Sequence, residues 1–326
     1  AEPQEPERPG PRTVVTADAA RSIITHNDSP DVPFDRSVNP YRGCEHGCVY
    51  CFARPTHAYL GLSPGLDFES KIFSKPDAAG LLRAALRRPG YRCAVVALGS
   101  NTDPYQPLER RLRVTRRILQ VLAEHRHPVA IVTKASLVLR DLDLLVPMAG
   151  RRLAHVMISV TTLDENLARR MEPRAPAPRR RLETIRSLAR AGVAVGVLAS
   201  PIIPGLNDAE IERILEACAS AGAAWAGYTL VRLPHEVGAI FGEWLEGNYP
   251  LRASRVLGLV RATQRGRLHD GRFGSRMRGT GPYADLLHRR FEVACGRLGL
   301  RREPEPLDAA QFRVPRGPAA QASLFE

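Results

Sequence analysis

Three cysteines, Cys44, Cys48 and Cys51, fall within eight positions of one another in the spacing C-x3-C-x2-C. Thiolates bind iron and zinc, and the glycines at positions 43 and 47 let the backbone bend so that the sulfurs converge. Structural zinc usually takes four protein ligands, whereas three cysteines on a four-iron cluster leave one iron open. The spacing therefore favours an open iron–sulfur cluster. The alternative is a structural zinc site completed by His46, His57 or a remote cysteine.

The remaining cysteines and the chain as a whole indicate a cytoplasmic protein. Cys93, Cys218 and Cys295 lie in apolar segments and are interpreted as packing residues. Six cysteines in 326 residues argue against a secreted disulfide framework and for a reduced metal site. The N-terminus lacks the basic and apolar regions of a secretory signal, and no apolar run is long enough to predict a membrane helix.

Short apolar runs alternate with longer helical patterns between residues 38 and 235. Strands are predicted at 93–99, 128–133, 153–161, 193–200 and 223–231, with a further strand just before Cys44. Helices are predicted near 79–88, 107–125, 139–149, 163–191 and 208–221. Uniformly apolar strands predict a parallel sheet covered by helices, and periodicity fits both a doubly wound sheet and a barrel. In either fold, ligands bind at the carboxyl ends of the strands.

Charge is distributed unevenly, although the chain as a whole carries a formal charge of +13. We divide it into an extended arm (1–37), a β–α core (38–235), a basic helical extension (236–302) and a tail (303–326). Residues 251–302 hold thirteen arginines against three acidic residues, which predicts a surface that binds polyanions. The arginines of residues 261–278, several of which lie in a Gly/Arg loop at 272–281, are candidates for holding phosphates. The alternatives are a solvated helical face and salt bridges to the acidic arm.

The cysteine run, with an aromatic residue before its last cysteine and β–α units after it, resembles the radical S-adenosylmethionine superfamily over residues 38–235. The resemblance implies a [4Fe–4S] cluster on Cys44, Cys48 and Cys51, with S-adenosylmethionine on the open iron. It also implies reductive cleavage of that cofactor to a 5′-deoxyadenosyl radical, with electrons from a flavodoxin or ferredoxin. The fold it implies is a partial (β/α)6, TIM-like barrel, here with a helical, basic C-terminal extension.

The loop after the second predicted strand reads S-N-T-D-P-Y-Q-P from Ser100. It is similar to the branch of uncharacterised bacterial proteins related to spore photoproduct lyase, a DNA repair enzyme. By this resemblance the contacts to S-adenosylmethionine come from Tyr50 (adenine), Ser100, Asn101 and Thr102 (methionine amino group), Lys134 (carboxylate) and Ser159 (ribose). The alternatives are a helix cap at Thr102, a surface lysine at Lys134 and a strand-end hydroxyl at Ser159.

The sequence departs from that branch at the residues that return the hydrogen atom. The lyase uses a cysteine and a tyrosine where this chain has Ser100 and Phe52, so the same relay is not expected here. We expect radical hydrogen abstraction on nucleic acid, in DNA repair or modification. The alternatives are modification of a protein or small molecule, and a non-catalytic iron–sulfur or zinc protein that binds nucleic acid.

The chain ends with the peptide Q-A-S-L-F-E from Gln321. It is similar to the peptide with which bacterial repair and replication proteins bind the sliding clamp, with Leu324 and Phe325 as apolar anchors. An alanine replaces the usual leucine at position 322. The sequence therefore predicts a sliding clamp as a possible partner through Gln321–Phe325; the alternative is a tail with two stray apolar residues.

Overall fold

The apolar runs of the sequence form strands and the amphipathic stretches between them form helices, in a computed structural model that describes residues 12–315. This part of the chain has ten strands: β1 (Val14–Ala17), β2 (Ile24–His26), β3 (Arg36–Val38), β4 (Tyr41–Arg42), β5 (Lys71–Ser74), β6 (Val96–Leu98), β7 (Val129–Thr133), β8 (Ala154–Ser159), β9 (Val195–Ile202) and β10 (Ala226–Leu230). Its α-helices are α1 (Leu66–Ser70), α2 (Ala78–Leu86), α3 (Glu109–Leu112), α4 (Val114–Glu124), α5 (Leu142–Ala149), α6 (Glu165–Met171), α7 (Pro178–Arg190), α8 (Ile211–Ser220), α9 (Val237–Asn248), α10 (Pro250–Thr263) and α11 (Pro282–Leu298). Each of the five apolar runs predicted as strands overlaps one of β6–β10; β9 extends two residues beyond its run.

The main sheet has seven strands in the order β10-β9-β8-β7-β6-β3-β2. Its neighbours from β3 to β10 pair in parallel, and β2 pairs with β3 in the antiparallel direction. A doubly wound sheet reverses its strand order near the middle, whereas this order runs one way along the chain. The fold is therefore the partial (β/α)6 barrel, which confirms the expectation that the resemblance gave.

The barrel strands are buried because helices cover their outer face. All three residues of β6 are buried, and Val129 and Ile131 of β7 are fully inaccessible to solvent. Ile118 of α4 and Leu188 of α7 lie in the same apolar cluster. Each such side chain contributes about 1.5–3 kcal/mol when it leaves water.

The N-terminal arm is more ordered than the sequence predicts. Strand β1 pairs with β5, and the sequence analysis predicted neither of these two strands. Strand β2 pairs with β3 at the edge of the main sheet. Strand β3, the first parallel strand of the main sheet, spans the expected boundary at residue 37. The strand expected just before Cys44 exists as β4, but it belongs to the small sheet β1-β5-β4.

The basic extension packs on the barrel. Helix α11 contacts α8, and Arg301 forms a parallel bridge with Trp225 beside the start of β10. Helices α9 and α10 share an apolar cluster with Cys48 and Tyr50. The extension therefore lies directly against the cysteine loop.

The expected sliding-clamp peptide, Gln321–Phe325, lies outside the described residues. Within residues 12–315, no helix combines the length and apolar character that crossing a membrane requires.

Candidate functional site

The cysteine loop follows β4 and turns through two glycines. Gly43 and Gly47 have φ angles of 81° and 65°, in the left-handed region that favours glycine. A Cβ atom at Gly43 would lie 2.7 Å from the carbonyl oxygen of Phe68, and one at Gly47 would collide with the side chains of Glu69 and Arg174. Both positions therefore require glycine, as the sequence analysis expected.

Arg54 binds the backbone of this loop, and only 2% of the arginine is exposed. Its Nε donates to the carbonyl of Cys48 at 2.9 Å, and Nη2 donates to the carbonyl of Gly47 at 3.1 Å. Its Nη1 donates to the carbonyls of Pro64 and Gly65. One buried guanidinium thus fixes the turn between two of the cysteines.

Gln106 joins the cysteine loop to the loop after β6. Its fully buried amide donates to the carbonyl of Gly43 at 3.2 Å and accepts from the backbone N–H of Glu45 at 2.9 Å. The carboxylate of Glu45 in turn accepts from the N–H of Leu108 at 2.6 Å. These bonds set the cysteine loop against the carboxyl end of β6.

The three thiols are free, with Cys44 and Cys48 buried and Cys51 half-buried. Burial raises the pKa of each thiol, so a bound cation is needed to stabilise the thiolates. Three cysteines within one loop supply three thiolates and leave a fourth ligand position to another group. A cluster binds each thiolate through a separate iron, so this donor set fits an iron–sulfur cluster.

Asp103 connects the loop after β6 to the end of β7. Its carboxylate accepts from the Thr133 hydroxyl at 2.6 Å and from the backbone N–H of Lys134 at 2.8 Å. Its Oδ2 also lies 3.4 Å from Nδ1 of the buried His46. Asp103 therefore links the loop after β6 to the end of β7 and lies beside His46 of the cysteine loop.

The three predicted residues after β6 have different environments. The buried Thr102 donates its hydroxyl to the carbonyl of Tyr41 at 3.2 Å, which is a structural contact. Ser100 and Asn101 are half-buried and lie beside Asn39, which donates to the Ser100 hydroxyl at 3.3 Å. Of the three residues, Ser100 and Asn101 therefore have the more accessible side chains.

A buried carboxylate that the sequence analysis missed, Glu172, gathers other predicted residues. It accepts hydrogen bonds from the hydroxyls of Tyr50 and Thr161 and from Arg181, and it lies 3.7 Å from Nζ of Lys134. Burial raises its pKa, but the charges of Arg181 and Lys134 outweigh burial and lower the pKa to about 2. Glu172 is therefore ionised, and it places Lys134 over the Tyr50 ring at 5.9 Å.

Arg181 extends this network to the end of β8. Its Nη1 donates to the carbonyl of Ser159 at 3.2 Å. The register pairs Thr133 with Ile158, so Lys134 and Ser159 follow on adjacent strands. Tyr50, Lys134 and Ser159 thus surround one ion pair, Glu172–Arg181.

Arginine and phenylalanine side chains line the edge beside the cysteine loop. The guanidinium carbon of Arg232, two residues after β10, lies 4.6 Å from the ring centre of Phe52. The same distance separates Arg276 and Phe273 in the Gly/Arg loop. Arg276 also forms an ion pair with Asp31 at 2.5 Å, so one of the expected bridges to the acidic arm exists.

The Gly/Arg loop is joined to the barrel at the same edge. The backbone N–H of Leu230, the last residue of β10, donates to the carbonyl of Met277 at 2.8 Å. The basic segment therefore reaches the carboxyl end of the sheet, where the cysteine loop lies.

Comparison with known sequences gives the family context of this site. A family model described as the Radical SAM superfamily matches residues 38–218. An uncharacterised protein of Mycobacterium tuberculosis is 39% identical over 232 residues, which cover 71% of this chain and 68% of that protein. An uncharacterised protein of Methanocaldococcus jannaschii is 28% identical over 173 residues, or 53% of this chain and 62% of that protein.

Solved structures of spore photoproduct lyase have a similar fold. The lyase complexed with dinucleoside spore photoproduct superposes with a TM-score of 0.62 at 15% identity, over 89% of this chain and 81% of that chain. A variant with bound AdoMet and dinucleoside spore photoproduct gives the same TM-score at 14% identity and the same coverage. At this identity the likeness concerns the fold.

Proposed function

This chain belongs to the Radical SAM superfamily, and we propose that it abstracts hydrogen from nucleic acid, with DNA as the substrate, in repair or modification. It is a radical SAM enzyme whose cofactors are a [4Fe–4S] cluster and S-adenosylmethionine. When bound, these cofactors supply reductive cleavage to a 5′-deoxyadenosyl radical. The protein must orient the reacting groups and exclude water around them.

In this proposal Cys44, Cys48 and Cys51 hold the cluster. Lys134 attracts the methionine carboxylate, because its ammonium group is only partly exposed and its distance to Glu172, 3.7 Å, leaves it free to bind a second anion. Glu172 keeps that ammonium group in place. The loop of Ser100, Asn101 and Thr102 would bind the methionine amino group, with Thr102 anchored on the carbonyl of Tyr41. Ser159 would bind the ribose and Tyr50 the adenine.

One observation carries the choice of substrate: the arginine-rich loop adjoins the edge of the barrel that bears the cysteines. Arg232 lies against Phe52, the residue after Cys51, and the loop is bonded to the last residue of β10. Phosphates are attracted to such a concentration of guanidinium groups. The solved relatives in fold, complexed with a dinucleoside lesion, are consistent with this substrate class.

Transfer of deuterium tests the proposal. Reconstituted protein is incubated anaerobically with dithionite, S-adenosylmethionine and DNA that carries deuterated nucleosides, either intact or ultraviolet-irradiated. We expect deuterium in the 5′-deoxyadenosine that is formed. Formation of 5′-deoxyadenosine without deuterium from any position of the DNA would instead favour a protein or small-molecule substrate.

Two partners belong to the same proposal. A flavodoxin or ferredoxin supplies the electron, and the terminal peptide Gln321–Phe325 binds the sliding clamp. We expect purified clamp to be retained by the immobilised full chain and lost when residues 321–326 are deleted. Retention that survives the deletion would contradict the role of the peptide.

A further inference from the structure

Two arginine–phenylalanine pairs border the cysteine loop, and we call them the rim: Arg232 with Phe52, and Arg276 with Phe273. Phe52 and Phe273 are 43% and 57% exposed, although large apolar side chains are normally buried. Each ring carries a guanidinium group at 4.6 Å. Flat apolar faces and positive charge therefore occur together, twice, on the side of the barrel where chemistry takes place.

The charge of Arg232 is not matched by a carboxylate. Within residues 12–315 its guanidinium group forms no ion pair, whereas Arg276 is paired with Asp31. Burial and the nearby charge of Arg276 lower the pKa of Arg232 by more than the charge of Asp31 raises it, so its surroundings disfavour the cation. An anion placed beside it would relieve that penalty.

We infer that the rim holds a nucleotide strand with its bases unstacked: Arg232 binds a backbone phosphate and Phe52 stacks on an exposed base. This inference rests on the proposed function and specifies the form of the substrate. Aromatic side chains stack on single-stranded or flipped bases, whose faces are open, whereas the bases of an intact duplex are covered by their neighbours. Since Phe52 directly follows Cys51, a base on its ring lies beside the cluster loop. Arg276 and Phe273 extend the same binding mode along the strand.

Fluorescence anisotropy with a ten-nucleotide oligothymidylate and a duplex of the same length tests the rim. We expect the single strand to bind more tightly than the duplex. Arg232→Gln and Phe52→Leu should each weaken single-strand binding about tenfold, and Phe52→Trp should retain it. The matched control is Arg190→Gln at the end of α7. This residue lies shortly before the amino end of β9, whereas the rim lies at the carboxyl ends of the strands. The control removes the same charge and should change affinity less than about twofold.

Each variant must keep the iron content and the urea-unfolding midpoint of the wild-type protein. Because Phe52 is exposed, its variants test the rim even if Arg232→Gln does not fold. Wild-type affinity in folded Phe52→Leu or Arg232→Gln would overturn the inference while the nucleic-acid proposal stands. Tighter duplex binding, or equal displacement by polyglutamate of the same charge, would also overturn it. Wild-type protein that binds neither oligonucleotide would refute the proposed function itself.

Discussion

The Glu172 network and the Gly/Arg loop lie near the same edge of the barrel, but their charges are held in opposite ways. Glu172 and Arg181 have side chains that are at most 1% exposed, and each is bonded to several partners. In the Gly/Arg loop, Arg272 pairs with Asp270 while its side chain remains 65% exposed. The first region is a fixed frame for the reaction, and the second is an accessible surface for a substrate.

The physical consequence is that the buried network contributes mainly to stability and the exposed loop mainly to binding. Removing one partner of a buried ion pair leaves an uncompensated charge, which is costly, whereas exposed pairs contribute little. Substitutions in the frame should therefore lower the free energy of unfolding. Substitutions at the surface should lower affinity and leave folding nearly unchanged.

The largest expected effect follows from Glu172→Gln. The variant leaves Arg181 buried without its counter-charge, so we expect the free energy of unfolding to fall by about 3–5 kcal/mol. Glu183→Gln is the matched control, because Glu183 is 38% exposed and pairs with Arg179 and Arg180 on α7; its cost should stay below about 1 kcal/mol. Urea unfolding measures both. Equal losses would erase the contrast between the two regions.

The same variant should have a pH-dependent cost. The pKa of Glu172 is lowered from 4.5 to about 2 in the folded protein, so its ionised form stabilises the fold. This contribution is fully present above the ordinary value and is lost as the pH falls towards 2. We expect the difference between wild type and Glu172→Gln to shrink over that interval. A difference that stays constant from pH 6 to pH 3 would contradict the assigned ionisation.

Arg54→Lys should have a smaller effect on the frame. A lysine ammonium cannot reproduce the planar set of bonds to the carbonyls around Cys48, so we expect a loss of about 2 kcal/mol and reduced iron binding per chain. The control is Arg83→Lys, because Arg83 is 38% exposed and bonds only to Glu124 among the described residues. Iron content equal to that of wild type would show that Arg54 does not organise the loop.

The smallest effect on stability, and the clearest effect on binding, is expected at the surface. Replacing Arg272 and Arg278 together by glutamine should change the free energy of unfolding by less than about 1 kcal/mol, because both side chains are exposed. Arg276 is kept, since the side chain of its partner Asp31 is buried. The double change should weaken DNA binding and reduce the slope of log affinity against log salt by about 2. An unchanged slope would remove these arginines from the binding surface.

Sequence reasoning predicted strands β6–β10 and the cysteine loop, since uniform apolar runs and the C-x3-C-x2-C spacing are local signals. It missed Glu172, because a single acidic residue before Pro173 looks like a solvated helix end. Arg181 did leave a signal: it shares the apolar stripe of α7 with Ile185 and Leu188, at helical spacing. The bonds of Arg54 join residues from separate turns, and no sequence pattern encodes them.

The central claim is that the cysteine loop binds a cluster with one open iron. Anaerobic reconstitution tests it most directly, by measuring iron per chain and dithionite-dependent 5′-deoxyadenosine. We predict about four irons per chain and 5′-deoxyadenosine formation in wild type, loss of both in Cys48→Ala, and retention of both in Cys218→Ala. Stoichiometric zinc in the wild-type protein, without any cleavage of S-adenosylmethionine, would contradict the account.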